Sequence, residues 1–346
     1  MRALCLTAIG GPEKLAVLEL PSPPLRHPGE VRIGIHSVAL NHLDLWVAEG
    51  LPGGSPLELP HIVGCDGAGM VLETGATVTH LAVGDRVILN PGWGCGECDA
   101  CVAGDEVSCR DYGVQGEHRS GTAAEEVILP ARNVVPIRGS WSWAEAAAFP
   151  LATLTAWRML TSRARLNRGE AVLIWGIGGG VALAALQIAR HLGARVAVTS
   201  SNPAKLARAK ALGAELLLDS REPDNIAAAV KHHFGHGADV IVDSVGMATW
   251  ARSLKALRPG GRLVTCGATA GHDVSLDLRR LFWFQWSILG STMGTPSEFA
   301  EVVALGEAGK LRPPIDAILP LAEGQEAYRR LAAAEQFGKL VLEVSP

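Results

Sequence analysis

The chain has 346 residues, of which 48% are hydrophobic and 19% charged, and its formal net charge is −4. Single hydrophobic cores stop growing near about 250–300 residues, so this length predicts about two domains. The scattered, nearly balanced charge argues against a nucleic-acid partner, and the longest apolar stretches fall short of the roughly 20 residues of a membrane span. Because the N-terminus has no signal-peptide pattern, we expect a cytoplasmic protein.

The first 130 residues alternate short β-like runs with turns, at 16–20, 31–40, 69–73 and 86–89, which predicts a compact, mostly β domain. From about residue 141, strands alternate with helices. The strands are expected at 171–175, 195–200, 216–218, 240–242, 262–266 and 287–289, and the helices at 181–192, 204–212 and 226–234. This alternation is typical of a parallel, doubly wound sheet. An apolar strand at 339–344 could rejoin the first domain.

A glycine-rich turn joins the first strand and first helix of this repeat. It contains Gly176, Gly178, Gly179, Gly180 and Val181, the last standing where a strict G-x-G-x-x-G has its third glycine. Glycines let the backbone approach a pyrophosphate, and the N-terminus of the following helix offers free N–H groups. The strand–turn–helix context therefore predicts that these five residues bind a dinucleotide.

The end of the next strand indicates which dinucleotide binds. An NAD site usually places an acid about 20 residues beyond the turn, whereas residues 195–205 contain none. The hydroxyls of Ser200 and Ser201 and the cation of Lys205 suit a 2′-phosphate, with Arg221 as a further contact. We therefore expect NADP(H), the alternative being that Lys205 is simply a solvated lysine.

Four cysteines lie within 15 residues of one another. Cys95, Cys98, Cys101 and Cys109 form C-x2-C-x2-C-x7-C among glycines. Four soft ligands suit a closed, tetrahedral structural zinc site. Their spacing also allows an iron–sulfur cluster, and a disulfide pair is a weaker alternative in a reducing compartment. We expect one structural zinc per chain.

These features together resemble the medium-chain dehydrogenase/reductase superfamily, in its zinc-binding alcohol dehydrogenase and quinone oxidoreductase-like branch. The segments GCDGAG at 64–69, VGDRV at 83–87, PGGR at 259–262 and ILGSTMG at 288–294 carry the resemblance, which covers essentially the whole chain. It implies an α/β protein with a GroES-like, mostly β catalytic domain at 1–149 and 297–346, including a structural zinc lobe at 93–112. It also implies a Rossmann dinucleotide-binding domain at 150–296.

Zinc alcohol dehydrogenases of this superfamily hold a second, catalytic zinc. The resemblance places Asn41, Cys65 and Leu151 at its three ligand positions, and of these only Cys65 is a good zinc ligand. We therefore expect a metal-free centre like that of the quinone oxidoreductases and enoyl reductases. A rearranged zinc site built from His42, Asp44, Cys65 or Asp66 is the alternative.

The resemblance thus implies an enzyme that transfers hydride from NADPH to an α,β-unsaturated carbonyl or a quinone. The candidate catalytic residues are Asn41, His42, Asp44, Cys65 and Asp66. His42 is the favoured proton donor, because an unperturbed imidazole has a pKa near about 6.5. The alternatives are a zinc-type alcohol dehydrogenase acting with NAD(P) and a non-catalytic NADPH-binding protein.

The resemblance also implies cofactor contacts outside the glycine-rich turn, and an assembly. Asn41 and Thr155 are expected near the nicotinamide, and Lys339 near the ribose or phosphates, with Gly267 as a further cofactor residue. The substrate is a small molecule. Strand pairing between two chains at the edge strand 286–290 would give a homodimer, or a tetramer of such pairs.

Overall fold

The computed structural model describes residues 1–51 and 57–344. The chain forms two compact units, Met1–Ala152 with Gly294–Pro346 and Thr153–Met293. Each has its own hydrophobic core. Within the described residues, no helix is long and apolar enough to cross a membrane.

The strands are β1 (Arg2–Leu6), β2 (Leu15–Glu19), β3 (Glu30–Ala39), β4 (His61–Ile62), β5 (Ala68–Thr74), β6 (Arg86–Leu89), β7 (Gly92–Trp93), β8 (Gly113–Val114), β9 (Glu126–Pro130), β10 (Val134–Pro136), β11 (Ala171–Ile174), β12 (Arg195–Ser200), β13 (Leu216–Asp219), β14 (Ala238–Val242), β15 (Leu257–Thr265), β16 (Ser287–Gly290), β17 (Ile315–Pro320) and β18 (Lys339–Glu343). The α-helices are α1 (His42–Glu49), α2 (Asp99–Val102), α3 (Trp143–Ala148), α4 (Pro150–Arg158), α5 (Gly180–His191), α6 (Pro203–Ala211), α7 (Pro223–Phe234), α8 (Trp250–Ala256), α9 (Leu278–Trp283), α10 (Pro296–Glu307) and α11 (Gly324–Ala332).

The first unit is built on a seven-stranded sheet in the order β10-β6-β5-β3-β18-β17, with β9 also paired to β3. Val31, Ile33 and Ile35 of β3 are fully buried and alternate with partly exposed residues, the period expected of a half-buried strand. The last strand, β18, runs antiparallel to β3 with Val341 opposite Ala39. The C-terminal strand therefore rejoins the first unit, as its pattern predicted.

The second unit contains a six-stranded sheet in the order β13-β12-β11-β14-β15-β16, with every neighbouring pair parallel. Its central strands are buried on both faces, and Trp175, just after β11, is 2% exposed. Parallel sheets read as continuous apolar runs because helices cover both faces. The predicted doubly wound α/β fold is confirmed.

Candidate functional site

Five buried polar residues meet at the ends of three segments of the first unit: Asn41, Asp44, Cys65, Asp66 and Lys339. We call them the polar cluster. Asn41 precedes α1, Cys65 and Asp66 lie between β4 and β5, and Lys339 begins β18. The segments converge because β3 pairs with both β5 and β18. Each of the five residues is at most 7% exposed.

Asp66 is the centre of the hydrogen bonding in the polar cluster. Its Oδ1 accepts from the backbone N–H of Leu151 at 2.9 Å. Its Oδ2 accepts from Asn41 Nδ2 at 2.9 Å and from Lys339 Nζ at 3.1 Å. The ammonium also donates to Asn41 Oδ1 at 2.5 Å. The buried carboxylate and ammonium are therefore paired with each other and hydrogen-bonded, as buried charges must be.

A second arm of the polar cluster joins Asp44 to Cys65. Asp44 lies in the first turn of α1, where its Oδ2 accepts from the backbone N–H of Asn41 at 2.6 Å and its Oδ1 from Cys65 Sγ at 3.3 Å. Burial raises the pKa of Asp44 to about 6. Burial and the neighbouring carboxylates raise the pKa of the Cys65 thiol well above its usual value. Cys65 is thus a protonated hydrogen-bond donor.

His42 lies outside the polar cluster. It is the first residue of α1, where its side chain is exposed and its ring meets that of Trp46 edge-on, with centroids 5.0 Å apart. Partial desolvation lowers the pKa of this imidazole. Of the five predicted catalytic residues, the structure thus brings four together and leaves His42 facing water.

Three residues near the polar cluster, Gly116, Glu117 and Tyr328, were not predicted from the sequence. Gly116 packs so closely on the backbone at Gly64 that an added Cβ would lie 2.4 Å from the Gly64 carbonyl oxygen. The next residue, Glu117, has its pKa raised by partial burial, and its charge in turn raises the pKa of Cys65. Tyr328 of α11 is fully buried, and its hydroxyl has no partner among the described residues. The sequence hint for Glu117 was its place in the segment Gly116-Glu117-His118, where two titratable residues follow a glycine.

The polar cluster does not fit a catalytic zinc. Of the three positions that the resemblance assigns to ligands, Asn41 has its amide oxygen on an ammonium, and Leu151 has an apolar side chain. The third, Cys65, is protonated. Among the described residues, the only group of three or more His, Cys, Asp or Glu with converging ligand atoms is the set of four cysteines.

The four cysteines do fit a structural zinc. The Sγ atoms of Cys95, Cys98, Cys101 and Cys109 lie within 4.8 Å of one another. Backbone N–H groups donate to the sulfurs, from Cys98 to Cys95 Sγ at 3.3 Å and from Cys95 to Cys109 Sγ at 3.4 Å. The backbone donors of Glu97 and Cys98 lower the pKa of Cys95 to about 6, whereas the pKa of the neighbouring Cys101 is raised, so the first of these thiols ionises more readily than the second. These four residues would hold the ion.

The glycine turn, residues 176–181, follows β11 in the second unit, and its last two residues, Gly180 and Val181, begin α5. Gly176 and Gly178 have φ of 68° and 138°, backbone conformations that side chains disfavour. The N–H of Gly176 donates to Thr199 Oγ1 and that of Ile177 to the Thr199 carbonyl, which anchors the turn to β12. Nothing lies within 4 Å of a Cβ built on Gly179, the residue that caps α5. The turn therefore leaves room for a pyrophosphate at the helix N-terminus.

The other predicted cofactor residues of the second unit lie near strand ends or in the helices α4 and α6. Ser200 ends β12 and is 8% exposed, Ser201 is exposed, and Lys205 lies in the first turn of α6. Thr155 of α4 is buried, with its hydroxyl 3.7 Å from Met293 Sδ, and Gly267 follows β15 and accepts from Thr265 Oγ1 at 3.0 Å.

Two predicted cofactor residues make other contacts. The guanidinium of Arg221 donates to both carboxylate oxygens of Asp219, and this pairing lowers the pKa of Asp219 to about 2. Lys339, expected near the ribose or phosphates, has its ammonium in the polar cluster and is 4% exposed.

Sequence comparisons match both halves of the chain to described families. Residues 27–139 match the alcohol dehydrogenase GroES-like domain, and residues 180–308 match the zinc-binding dehydrogenase family. Alcohol dehydrogenase from Geobacillus stearothermophilus is 31% identical over 95% of this chain and 96% of its own length. Polyketide synthase GfsB from Streptomyces halstedii is 35% identical over 92% of this chain, which spans only 5% of the synthase.

Solved structures also resemble the whole chain, among them the following two. The crystal structure of an NAD-dependent alcohol dehydrogenase has a TM-score of 0.95 and 43% identity, covering all of both chains. The 2-octenoyl-CoA carboxylase reductase CinF, solved with NADP and 2-octenoyl-CoA, has a TM-score of 0.92 and 28% identity, covering 99% of this chain and 87% of its own. With a GroES-like unit, a Rossmann-type unit and matches along its full length, this chain belongs to the zinc-binding dehydrogenases of the medium-chain dehydrogenase/reductase superfamily, and it is an oxidoreductase.

Proposed function

We propose that the protein reduces α,β-unsaturated carbonyl compounds or quinones with NADPH and needs no catalytic metal. The observation that carries this proposal is the polar cluster, in which Asn41 and Asp66 are bound to the ammonium of Lys339 and Cys65 is a protonated donor to Asp44. A centre built in this way has hydrogen-bond donors and no open metal position. It therefore suits a reduction that needs no Lewis acid, because hydride transfer to an enone or a quinone can proceed without a metal.

When bound, the nicotinamide cofactor supplies the hydride. The residues of the first unit then have two tasks, which are to hold a rigid polar surface and to deliver a proton. The buried members of the polar cluster are engaged with one another, and among the five predicted catalytic residues only His42 is exposed. We therefore propose that His42 passes the proton from water to the substrate, and that the polar cluster keeps Asn41 at the start of α1 in one orientation.

Two features of the second unit support NADPH over NADH. Strand β12 ends in Ser200, with hydroxyls in place of the acid that recognises an unphosphorylated ribose. Asp219 of the neighbouring strand β13 stands opposite Ser200 in the strand pairing, and its carboxylate is paired with the guanidinium of Arg221. We propose that Ser201 and Lys205 bind the 2′-phosphate and that the role of Arg221 is to neutralise Asp219.

Alcohol oxidation or aldehyde reduction is the second candidate. It is favoured by the names of two relatives, the Geobacillus stearothermophilus alcohol dehydrogenase and the NAD-dependent alcohol dehydrogenase of known structure. This activity would need either a catalytic zinc bound by unusual ligands or hydride transfer between alcohol and cofactor without a catalytic zinc. The names alone support it, whereas the contacts of the polar cluster support the reductase.

A substrate scan tests the proposal. NADPH oxidation is followed with enones, quinones, enoyl-CoA thioesters and aldehydes, and each reaction is repeated with NADH. We expect turnover of enones or quinones with NADPH, and an increase of about 10-fold or more in the KM for NADPH in Lys205→Ala, because a charged hydrogen bond contributes about 1.5–3 kcal/mol. Lys210→Ala, an exposed lysine later in α6, is the matched control. Turnover of aldehydes alone, or equal rates with NADH, would overturn the proposal.

We further propose a homodimer formed through the second unit. Strand β16 is at the edge of its sheet, and the helix before it exposes Leu278 (65%), Phe282 (68%) and Trp283 (76%). An unpaired edge beside exposed apolar side chains is a surface that a second copy would cover. Sedimentation should give a dimer for the wild type, a monomer for Trp283→Glu and a dimer for Val83→Glu, a control of similar exposure (66%). A wild-type monomer would refute this arrangement.

A further inference from the structure

Asp243 is a buried carboxylate that directly follows β14 in the second unit. It is 0% exposed, and its Oδ1 accepts from the backbone N–H groups of Val245 and Gly246 at 3.0 and 3.1 Å. The Thr249 hydroxyl lies 2.8 Å from both carboxylate oxygens, and the Ser253 hydroxyl donates to Oδ2 at 2.8 Å. Since these four donors are uncharged, hydrogen bonding to neutral groups offsets the cost of burying the charge.

These hydrogen bonds shape the segment after β14, residues 243–249, which we call the β14 loop. The two backbone N–H groups turn the chain just beyond the strand, and the Ser253 hydroxyl ties the carboxylate to α8. Gly246 has a φ of 87°, and an added Cβ there would lie 2.4 Å from the carbonyl oxygen of Gly271. The β14 loop therefore packs closely on the segment that follows β15.

That second segment, residues 266–271, is the β15 loop, and it is bonded to the β14 loop. Three backbone hydrogen bonds join them: Thr269 N–H to the Ser244 carbonyl, Ala270 N–H to the Val245 carbonyl and Met247 N–H to the Gly271 carbonyl. Burial, and then the charge of Asp243, raise the pKa of the Cys266 thiol at the start of the β15 loop to about 12. The β15 loop also contains Gly267, which we expect to contact the cofactor. Asp243 thus acts on both loops.

Both loops lie at the edge of the sheet where the glycine turn is found. All neighbouring strands of this sheet are parallel, so their carboxyl ends share one edge, where open α/β sheets bind their ligands. A Cβ built on Gly176 would lie 3.6 Å from Val245 Cγ2. The β14 loop therefore has the glycine turn as one neighbour and the β15 loop as the other.

We propose that Asp243 is a positioning residue of the cofactor site, which fixes the β14 and β15 loops beside the glycine turn and thereby sets the affinity for the nicotinamide cofactor. Loops that are already ordered do not have to be ordered when the ligand binds, and the entropy saved appears as affinity. Ser201 and Lys205, proposed above for the 2′-phosphate, follow β12, on the opposite side of β11 from β14. Asp243 should therefore affect NADPH and NADH alike. The inference deepens the proposed function and rests on its use of a nicotinamide cofactor.

The same strand supplies a matched control. Asp239, near the amino end of β14, is 6% exposed, accepts from the backbone N–H of Ala171 at 2.8 Å and is paired with Arg258. Asp239→Asn and Asp243→Asn thus each neutralise one buried, hydrogen-bonded carboxylate, at opposite ends of one strand. The Kd for NADPH and the Kd for NADH are measured for both variants and the wild type by tryptophan fluorescence, at a temperature well below the Tm of every protein.

We expect both variants to have a lower Tm, because each loses a buried charge that its neighbours are arranged to bind. Only Asp243→Asn should bind the cofactors more weakly. Its two Kd values should rise together by about 10-fold or more, the effect of losing one charge-assisted hydrogen bond. Asp239→Asn should leave both Kd values unchanged.

Unchanged Kd values in the folded Asp243→Asn protein, an equal rise in both variants, or a rise for NADPH alone would overturn the inference. If Asp243→Asn does not fold, Ser253→Ala should still raise both Kd values by about 3-fold, since the other three donors remain; unchanged values there would overturn it as well. Because a Kd needs no turnover, the two proposals fail separately. A wild type that binds NADPH and reduces no enone or quinone defeats the proposed function and leaves the role of Asp243 to be decided by the Kd values.

Discussion

The ion pair between Asp66 and Lys339 should be among the most energetically coupled contacts of the first unit. Asp66 is fully buried, Lys339 is 4% exposed, and their charged atoms are 3.1 Å apart. Removing one partner of such a pair leaves an uncompensated buried charge, which costs about 3–5 kcal/mol. Asp66→Asn keeps the shape and an oxygen that still accepts from Leu151. We therefore expect the free energy of unfolding to fall by about 3–5 kcal/mol in Asp66→Asn and in Lys339→Met.

The double variant Asp66→Asn, Lys339→Met removes both charges together. Its loss of stability should be smaller than the sum of the two single losses by about 1–3 kcal/mol, the range of coupling found for residues in one network. Urea unfolding followed by tryptophan fluorescence measures all four proteins. Glu326→Gln, which breaks the exposed pair with Arg329 on α11, is the control and should change nothing measurable. Losses that add within about 0.5 kcal/mol would refute the reasoning.

Three further predictions follow from the remaining titratable and metal-binding groups. Burial raises the folded-state pKa of Asp44 to about 6, so the folded protein holds this proton more tightly than the unfolded chain does. The free energy of unfolding should therefore fall by about 2–3 kcal/mol as the pH rises from about 4 to 6. Urea unfolding of Asp44→Asn should lack that decrease. His42→Gln should lower kcat by about 100-fold or more, and its pH–rate profile should lose the fall in rate above the imidazole pKa. His27→Gln, at an exposed histidine, is the control and should keep the wild-type profile. An unchanged profile in His42→Gln would show that His42 is not the proton donor. Cys98→Ser should lose the lobe zinc and lower the Tm, as measured by metal analysis and thermal unfolding, and a retained zinc would contradict the site.

Those parts of the molecule that depend on local pattern were predicted well. Strands β6 and β12 begin and end at the predicted residues, and the other predicted elements of the second unit overlap the observed ones, because apolar runs between turn residues carry their own signal. The two-residue strands β4, β7 and β8 were missed, because two residues are too few to show the alternation of apolar and polar side chains that identifies a strand. Strand β17 was missed as well, although it pairs with the predicted C-terminal strand.

The partners of charged side chains were harder to predict, because they depend on contacts that no local pattern shows. Lys339 and Asn41 are 298 residues apart in the sequence and meet only because β18 pairs with β3. The sole hint was a lysine at the start of an apolar strand. For Arg221 the partner is close in the sequence. The guanidinium, predicted to contact the 2′-phosphate, binds Asp219 two residues earlier. The two residues are neighbours in the sequence, but only the structure shows that their side chains form an ion pair.

The zinc content of the active wild-type enzyme tests the central claim most directly. The protein is purified, shown to oxidise NADPH with an enone or quinone, and analysed for bound zinc per chain before and after dialysis against a chelator mild enough to leave the lobe intact. We predict one zinc per chain, held by the four cysteines, and a rate that does not rise when zinc is added. Two zincs per chain, with activity that follows the second, would contradict the account.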